Sequence, residues 1–352
     1  MSTEQTTTVR NSIGRLTFVG LSFLIQLGWI ILLVLKLNRY SVYITLLSSL
    51  LALVLVLKIY GMHINAAFKL PWIMLILVFP VMGACMYLLL GRSGVSSGMK
   101  KRFAAIDREL EPLLVPDAQA VSRLRQRDPA IANQSYYIAN TGKFPLYQNT
   151  DVTFYAEAAD GLEAQKEALR QAKDFIFMEY HAIEDSTSFH SLKAILAQKA
   201  AEGVEVRVLY DDVGSVGFIN TDFIRRMAAS GIQCRVFNPL LPVLNVFMNN
   251  RDHRKITVVD GKIGFTGGYN LADEYFNLTH PYGQWKDTGL KLVGDSVRSL
   301  TVLFLEMWNV IQKTDTDFAR YLPAFSYQAK ENGFVQPYAD SPLDVLSQRL
   351  AV

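Results

Sequence analysis

The chain has 352 residues, half of them hydrophobic, and a formal charge of +3; its mean hydropathy is positive, above that of an ordinary soluble domain. So small a charge, with no long basic run, argues against nucleic acid as the partner. The two cysteines, Cys85 and Cys234, build neither a disulfide framework nor a zinc site.

The excess hydrophobicity sits near the N-terminus. After a polar tail, residues 1–15, three stretches carry no charged residue: Leu16 to Leu35, Ser41 to Leu57 and Pro71 to Gly91. A helix needs roughly 20 apolar residues to cross the hydrocarbon of a bilayer, so residues 16–91 are read as two or three membrane spans. The first is too long for a cleaved leader and lacks a small-x-small cleavage site. Pro80 and Gly83 predict a kink in the third. Basic residues beyond the last span (Arg92, Lys100, Lys101, Arg102, Arg108) outnumber those of the preceding loop (Lys58, Lys69), which puts the C-terminal region on the cytoplasmic side.

Residues 92–143 are polar, with helical periodicity around Phe103 to Leu114 and Val121 to Arg127; they read as a cytoplasmic connector, its basic side chains suited to anionic headgroups. From residue 144 the pattern is α/β. Helices over Ala159 to Lys173, Ser188 to Glu202 and Phe218 to Ser230 alternate with the strand-like runs DFIFMEYHAI, VEVRVLYDD and IQCRVFN, which argues for parallel strands covered by helices. A hairpin, ITVV turning through Asp260-Gly261 into KIGFTG, completes the sheet, followed by a strand in GQWKDTGLKLVG and an apolar helix from Val297 to Trp308. The α/β unit is placed at 144–312. The remainder, 313–352, is polar and lacks a comparable core pattern.

Chemistry concentrates between Asn250 and Asn270. His253, Lys255, Asp260, Gly267, Gly268 and Asn270 stand at the spacing H-x-K-x4-D-x6-G-G-x-N. Residues two apart on extended backbone face the same way, so an imidazole and an ammonium share one site. Cleavage of a phosphodiester needs a nucleophile and donors that neutralise charge developing on the oxygens. His253 suits the first task, Lys255 and Asn270 the second. Asp260 has two readings, a catalytic carboxylate or the first residue of a type I′ turn. Gly267 and Gly268 suit a tight turn or a close backbone approach. Glu179, His181, Asp211 and Asp212 stand at strand ends, where structural carboxylates and a satisfied histidine are the default.

This spacing resembles the signature of the phospholipase D superfamily. With FMEYHAIEDSTSFHSL, GVEVRVLYDDVGSVGF, NLADEYFNLTHPYGQWKDTGLKL and the membrane stretch PWIMLILVFPVMGACMYLLLGR, the chain looks like the N-terminal membrane region plus the first catalytic half of a bacterial cardiolipin synthase. The resemblance implies N-terminal transmembrane helices, a phospholipase D-like α/β half-domain with a mixed sheet flanked by helices, and a multi-pass location in the bacterial cell membrane. It implies phosphatidyl transfer between two phosphatidylglycerol molecules through a phosphohistidine, giving cardiolipin and glycerol, with no cofactor and no metal. It gives Asp287 the role of hydrogen-bonding an active-site imidazole, makes Glu179 and Asp212 candidates to support the site from behind, and sets His280 and Tyr282 at the lipid entrance. Residues 313–352 correspond to the connector between halves.

The family carries two such motifs and this sequence one, since His63, His181, His190 and His280 lack the accompanying lysine. A single imidazole cannot attack phosphorus and protonate the leaving oxygen at once. The site would then be completed by a second copy of the chain, as a homodimer, or by a separate C-terminal half. The alternatives are an inactive or regulatory membrane-bound half-molecule and a phospholipase D-type phosphodiesterase that transfers to water.

Overall fold

The computed structural model describes residues 24, 27, 28, 30, 31, 40–62, 66–91, 97–220, 222–239, 251–324 and 326–343. The chain divides into two compact units, Met1–Val95 with Leu240–Asn250, and Ser96–Pro239 with Arg251–Val352.

In the first unit, helix α1 (Ser41–Tyr60) is 20 residues long, followed by α2 (Ala66–Val78), α3 (Pro80–Met86) and a π-type turn over Tyr87–Gly91. The break between α2 and α3 falls where the sequence predicts a kink. The ring of Pro80 disfavours helical backbone at the residue before it, and Phe79 is extended at φ −128° and ψ 78°. The chain then folds back so closely that a Cβ at Gly83 would lie 2.5 Å from the Leu75 carbonyl oxygen. Ala52, Ile59, Ile76 and Tyr87 form a small core, with Trp72 edge-on to Tyr87. The outer faces stay apolar, with Leu46, Leu50, Leu57, Phe68 and Val78 all exposed. On the described residues alone, no helix is long and apolar enough to cross a membrane. The expected transmembrane helices are thus not established by the fold: the third is divided at Phe79, and the first, Leu16 to Leu35, lies almost wholly outside the described residues.

The second unit begins with α4 (Ser97–Leu110), α5 (Ala118–Arg127) and α6 (Pro129–Gly142). Asp117 and Asp128 cap the last two, each accepting two N–H groups of its helix's first turn. The α/β part comprises β1 (Thr150–Tyr155), α7 (Ala158–Arg170), β2 (Phe175–Tyr180), α8 (Thr187–Ala201), β3 (Glu205–Asp211), α9 (Phe223–Ala229), β4 (Gln233–Phe237), β5 (Lys255–Val259), β6 (Ile263–Gly267), β7 (Gly289–Gly294) and α10 (Val297–Ile311). Seven strands form one sheet in the order β1-β7-β6-β5-β2-β3-β4. The crossovers through α8 and α9 make β2, β3 and β4 parallel; all other neighbours are antiparallel. A mixed sheet flanked by helices matches the expected fold class.

Alternation along β2 explains why it is buried on both sides. Ile176, Met178 and Tyr180 pack with Leu162 and Leu169 of α7 and Phe189, Leu192 and Leu196 of α8. On the other face Phe177 stacks on Phe304 of α10 with ring centroids 4.5 Å apart. Registers Tyr180↔Tyr210 and Tyr180↔Lys255 bring the ends of β2 and β3 and the start of β5 to one edge of the sheet. That edge holds the site.

Two local expectations need correction. Helix α9 starts at Phe223, because Val216 to Ile219 closes a turn instead of entering the helix. Strand β7 starts at Gly289, so Asp287 precedes it. Described residues beyond α10 pack on the sheet: the Arg207 guanidinium, buried from β3, holds the Asp315 carboxylate at 2.7 and 2.8 Å and the Tyr321 hydroxyl at 2.7 Å, and Val335 pairs with Tyr147. Single side chains without periodicity carry this packing, so no core pattern shows in the sequence.

Candidate active site

Residues 251–254 run across the sheet edge with their side chains alternating. Asp252 and Arg254 point inward and are tied down. The Asp252 N–H donates to Asp211 Oδ2 at 3.0 Å, and Arg254 Nε donates to Glu179 Oε1 at 2.8 Å and to Asp252 Oδ1 at 3.3 Å. Arg251 reaches the Asn238 carbonyl at 2.8 Å. The residues on either side of His253 are therefore anchored to the ends of β2 and β3 before any ligand arrives. Burial pushes the Glu179 carboxyl well above the usual carboxylate range against the pull of Arg254, with Asp252 raising it further. Burial also lifts Asp211 to about 6, opposed by Arg251 and the backbone N–H groups it accepts. Glu179 and Asp211 thus support the loop from below. Asp212 instead uses its N–H on the Phe237 carbonyl at the end of β4.

His253 and Lys255 point the other way. His253 is exposed, whereas Lys255 is only 5% exposed. Lys255 Nζ donates to His253 O at 2.8 Å and lies 3.2 Å from His253 Nδ1. Burial lowers the lysine pKa to about 8, with Asp252 and Asp287 pulling it back up. The imidazole pKa is lowered by burial, then by the charges of Lys255 and His181, with Asp252 opposing. A ring neutral at neutral pH beside a cation that remains charged is what nucleophilic attack on an anionic phosphoester needs.

The other sequence-predicted residues are placed differently. Asp260 is not brought to the histidine. It sits at the far end of β5 with φ 52°, next to Gly261 at φ 65°, as a type I′ turn demands. Its carboxylate accepts the N–H groups of Lys173 (2.9 Å), Asp174 (2.8 Å) and Phe175 (2.9 Å) at the start of β2. The turn reading is the one these bonds serve. Asn270 is buried at the site edge: Oδ1 accepts the Ala182 N–H at 3.0 Å and Nδ2 donates to the Tyr275 hydroxyl at 2.8 Å. Asp287 Oδ1 accepts the N–H of Thr288 at 2.8 Å, and its charge acts on Lys255. The two glycines make that approach possible. A Cβ at Gly268 would collide with the Asp287 carboxylate, and one at Gly267 would come within 2.6 Å of the Thr288 carbonyl oxygen. Among the charges acting on His253, the carboxylate is that of Asp252, a residue sequence reasoning passes over. The single acid among the bases of Arg251-Asp252-His253-Arg254-Lys255 is the available signal.

His280 and Tyr282 lie on an exposed loop whose ends are clamped by Asn277, bonded both to the N–H and to the carbonyl of Trp285. Rings then lead inward from Tyr282 to Trp285 to Tyr275, the residue bonded to Asn270.

Comparison with known proteins agrees with this geometry. Residues 166–308 match a family described as cardiolipin synthase, PLD-like domain, and residues 49–92 match the phospholipase D-nuclease N-terminal family. The chain is 37% identical over 273 residues to an uncharacterized protein of Streptococcus mutans, covering 78% of this chain and 59% of that one. It is 31% identical over 322 residues to a cardiolipin synthase of Halalkalibacterium halodurans (90% of this chain, 61% of the relative). It is 33% identical over 253 residues to one of Staphylococcus aureus (68% and 49%). The chain thus spans about half to three-fifths of the length of the curated relatives it matches. Residues 166–308 thus carry a PLD-like domain similar to that of the bacterial cardiolipin synthases, and residues 49–92 the N-terminal region that matches the phospholipase D-nuclease family.

Proposed function

We propose that this chain carries one half of a cardiolipin synthase active site, with His253 as the nucleophile in phosphatidyl transfer. The observation that carries the reading is the 3.2 Å contact between His253 Nδ1 and Lys255 Nζ, an exposed imidazole beside a buried cation at a sheet edge. A charged phosphate oxygen is a stronger acceptor than a neutral imidazole. When the phosphate of phosphatidylglycerol arrives, the Lys255 ammonium turns to it and the ring is left free. A ring nitrogen attacks phosphorus, the bond to glycerol breaks, and glycerol leaves with a proton from a general acid. The primary hydroxyl of a second phosphatidylglycerol then displaces the imidazole and gives up its proton, forming cardiolipin. Asp287 holds Lys255 in its charged form. Asn270, its amide engaged at both ends, fixes Ala182 and Tyr275 around the site.

The acid comes from outside the His253 and Lys255 pair, from a second copy of the chain or from a separate half carrying a second motif. The apolar outer faces of α1 and α2 and the match to the N-terminal family support attachment to the membrane in which both substrates reside. The test is the full chain in phosphatidylglycerol vesicles, alone and with a half carrying a second motif. Cardiolipin and glycerol should appear in equal amounts and vanish in His253→Ala; phosphatidic acid in their place would show transfer to water.

A further inference from the structure

A second imidazole stands beside the first. His181, the residue after β2, packs its ring against that of His253 with centroids 4.7 Å apart and planes at 49°. In a chain with a single motif the obvious use for it is the missing general acid, and the distance excludes that use. In-line displacement puts nucleophile and acid on opposite sides of phosphorus. With a near-attack distance of about 3 Å and a hydrogen bond of about 2.8 Å to the leaving oxygen, the two nitrogens stand roughly 6–7 Å apart with their rings farther still. Two rings in contact leave no room for phosphorus between them.

We infer instead that His181 is a positioning residue, which fixes the direction in which His253 presents its lone pair; this rests on the reading of His253 as the nucleophile. His181 is itself held on several sides. Its Nδ1–H donates to the Asp252 carbonyl at 2.8 Å, which sets the tautomer and ties the ring to the backbone immediately before His253. The next N–H, of Ala182, donates to Asn270 Oδ1 at 3.0 Å. The turn after β3 passes so close that a Cβ at Gly214 would collide with the His181 carbonyl and come within 2.8 Å of its ring. One residue thus couples the end of β2, the buried Asn270 and the Asp252 peptide to a single face of the nucleophile. His253 also meets Lys255, whose Nζ lies 3.2 Å from its Nδ1, so the ring touches both a second imidazole and a cation.

The test uses the full chain in detergent micelles and two readouts. Diethyl pyrocarbonate acylates neutral imidazole without any lipid or partner, and peptide mapping against pH gives the midpoint for His253, the groups acting on it being Lys255, His181 and Asp252. Phosphatidyl transfer from short-chain phosphatidylglycerol gives kcat and KM in the same variants. In His181→Ala the His253 midpoint should rise toward the ordinary histidine value, and kcat should fall about 10²-fold with KM nearly unchanged, the cost of a misaligned nucleophile. His181→Asn, which restores an N–H donor for the Asp252 carbonyl, should recover about tenfold of that loss. An unchanged midpoint in His181→Ala, or a phosphatidyl group mapped to His181, would overturn the inference. If the wild-type chain transfers no phosphatidyl group either alone or with a half carrying a second motif, the functional reading fails while the acylation midpoints still decide whether His181 positions His253.

Discussion

Replacing Asp260 by alanine separates the two readings that its sequence position allows. The carboxylate is 7% exposed and accepts three backbone N–H groups at 2.8–2.9 Å. Bonds to a charged acceptor contribute about 1.5–3 kcal/mol each, but three sharing one carboxylate do not add fully, which gives about 3–5 kcal/mol. Alanine at φ 52° costs about 1 kcal/mol more. For a unit of this size the melting temperature should fall by about 10 °C. Hydrogen exchange should accelerate at the amides of Lys173, Asp174 and Phe175, where β2 begins. Asp260→Asn, which tolerates the left-handed backbone and keeps one acceptor oxygen, should lose about half as much. Seven residues of extended chain separate Asp260 from His253, about 20 Å, so acylation of His253 by diethyl pyrocarbonate, measured below the melting temperature, should change by less than about threefold. An Asp260→Ala protein that melts like wild type but no longer transfers phosphatidyl groups would refute this account of the carboxylate.

The same geometry sets other outcomes. The kcat/KM profile should be bell-shaped, rising through a His253 pKa below the ordinary value and falling near pH 8 as Lys255 loses its proton. Stability should move oppositely on the alkaline side. From about pH 8 to the ordinary lysine value the unfolded chain binds the extra proton, so the folded state gains stability as pH rises, and Lys255→Met should flatten both responses. Gly268→Ala should displace the Asp287 carboxylate and lower the Lys255 pKa, read as an earlier alkaline fall in kcat/KM. Asp315→Ala leaves the buried Arg207 guanidinium with Glu205 as its remaining carboxylate and should cost about 2–3 kcal/mol in urea unfolding, leaving His253 acylation intact.

Much of this architecture is legible in the sequence because period and punctuation coincide. The runs FIFMEY and VEVRVLYD, each succeeded by a helical pattern, forecast β2, β3 and their crossovers, and Asp260-Gly261 forecasts the hairpin that sets β5 beside β2. β1 escapes notice because it is an edge strand with Val152 and Phe154 turned to the outside, so it lacks the alternation of a half-buried strand. The spacing of His253 and Lys255 forecasts their contact because strand geometry alone brings side chains two apart together. The anchors of that pair are not legible. Glu179 to Arg254, Asp211 to Asp252 and His181 to Asp252 join residues 41 to 75 positions apart, and nothing local marks one partner for the other. Asp287 is a third case. The resemblance marks its position, but its carboxylate acts on Lys255, a distinction that depends on the two glycines opposite it.

The most direct measurement uses a phosphatidyl ester whose leaving group, p-nitrophenolate, departs without a proton, so that one imidazole suffices and the missing acid is irrelevant. Mixed with the full chain and quenched in base, it should give a burst of nitrophenolate equal to the protein present and a phosphatidyl group on the peptide containing His253. The same burst from His253→Ala, or a label on any other residue, would contradict the central claim.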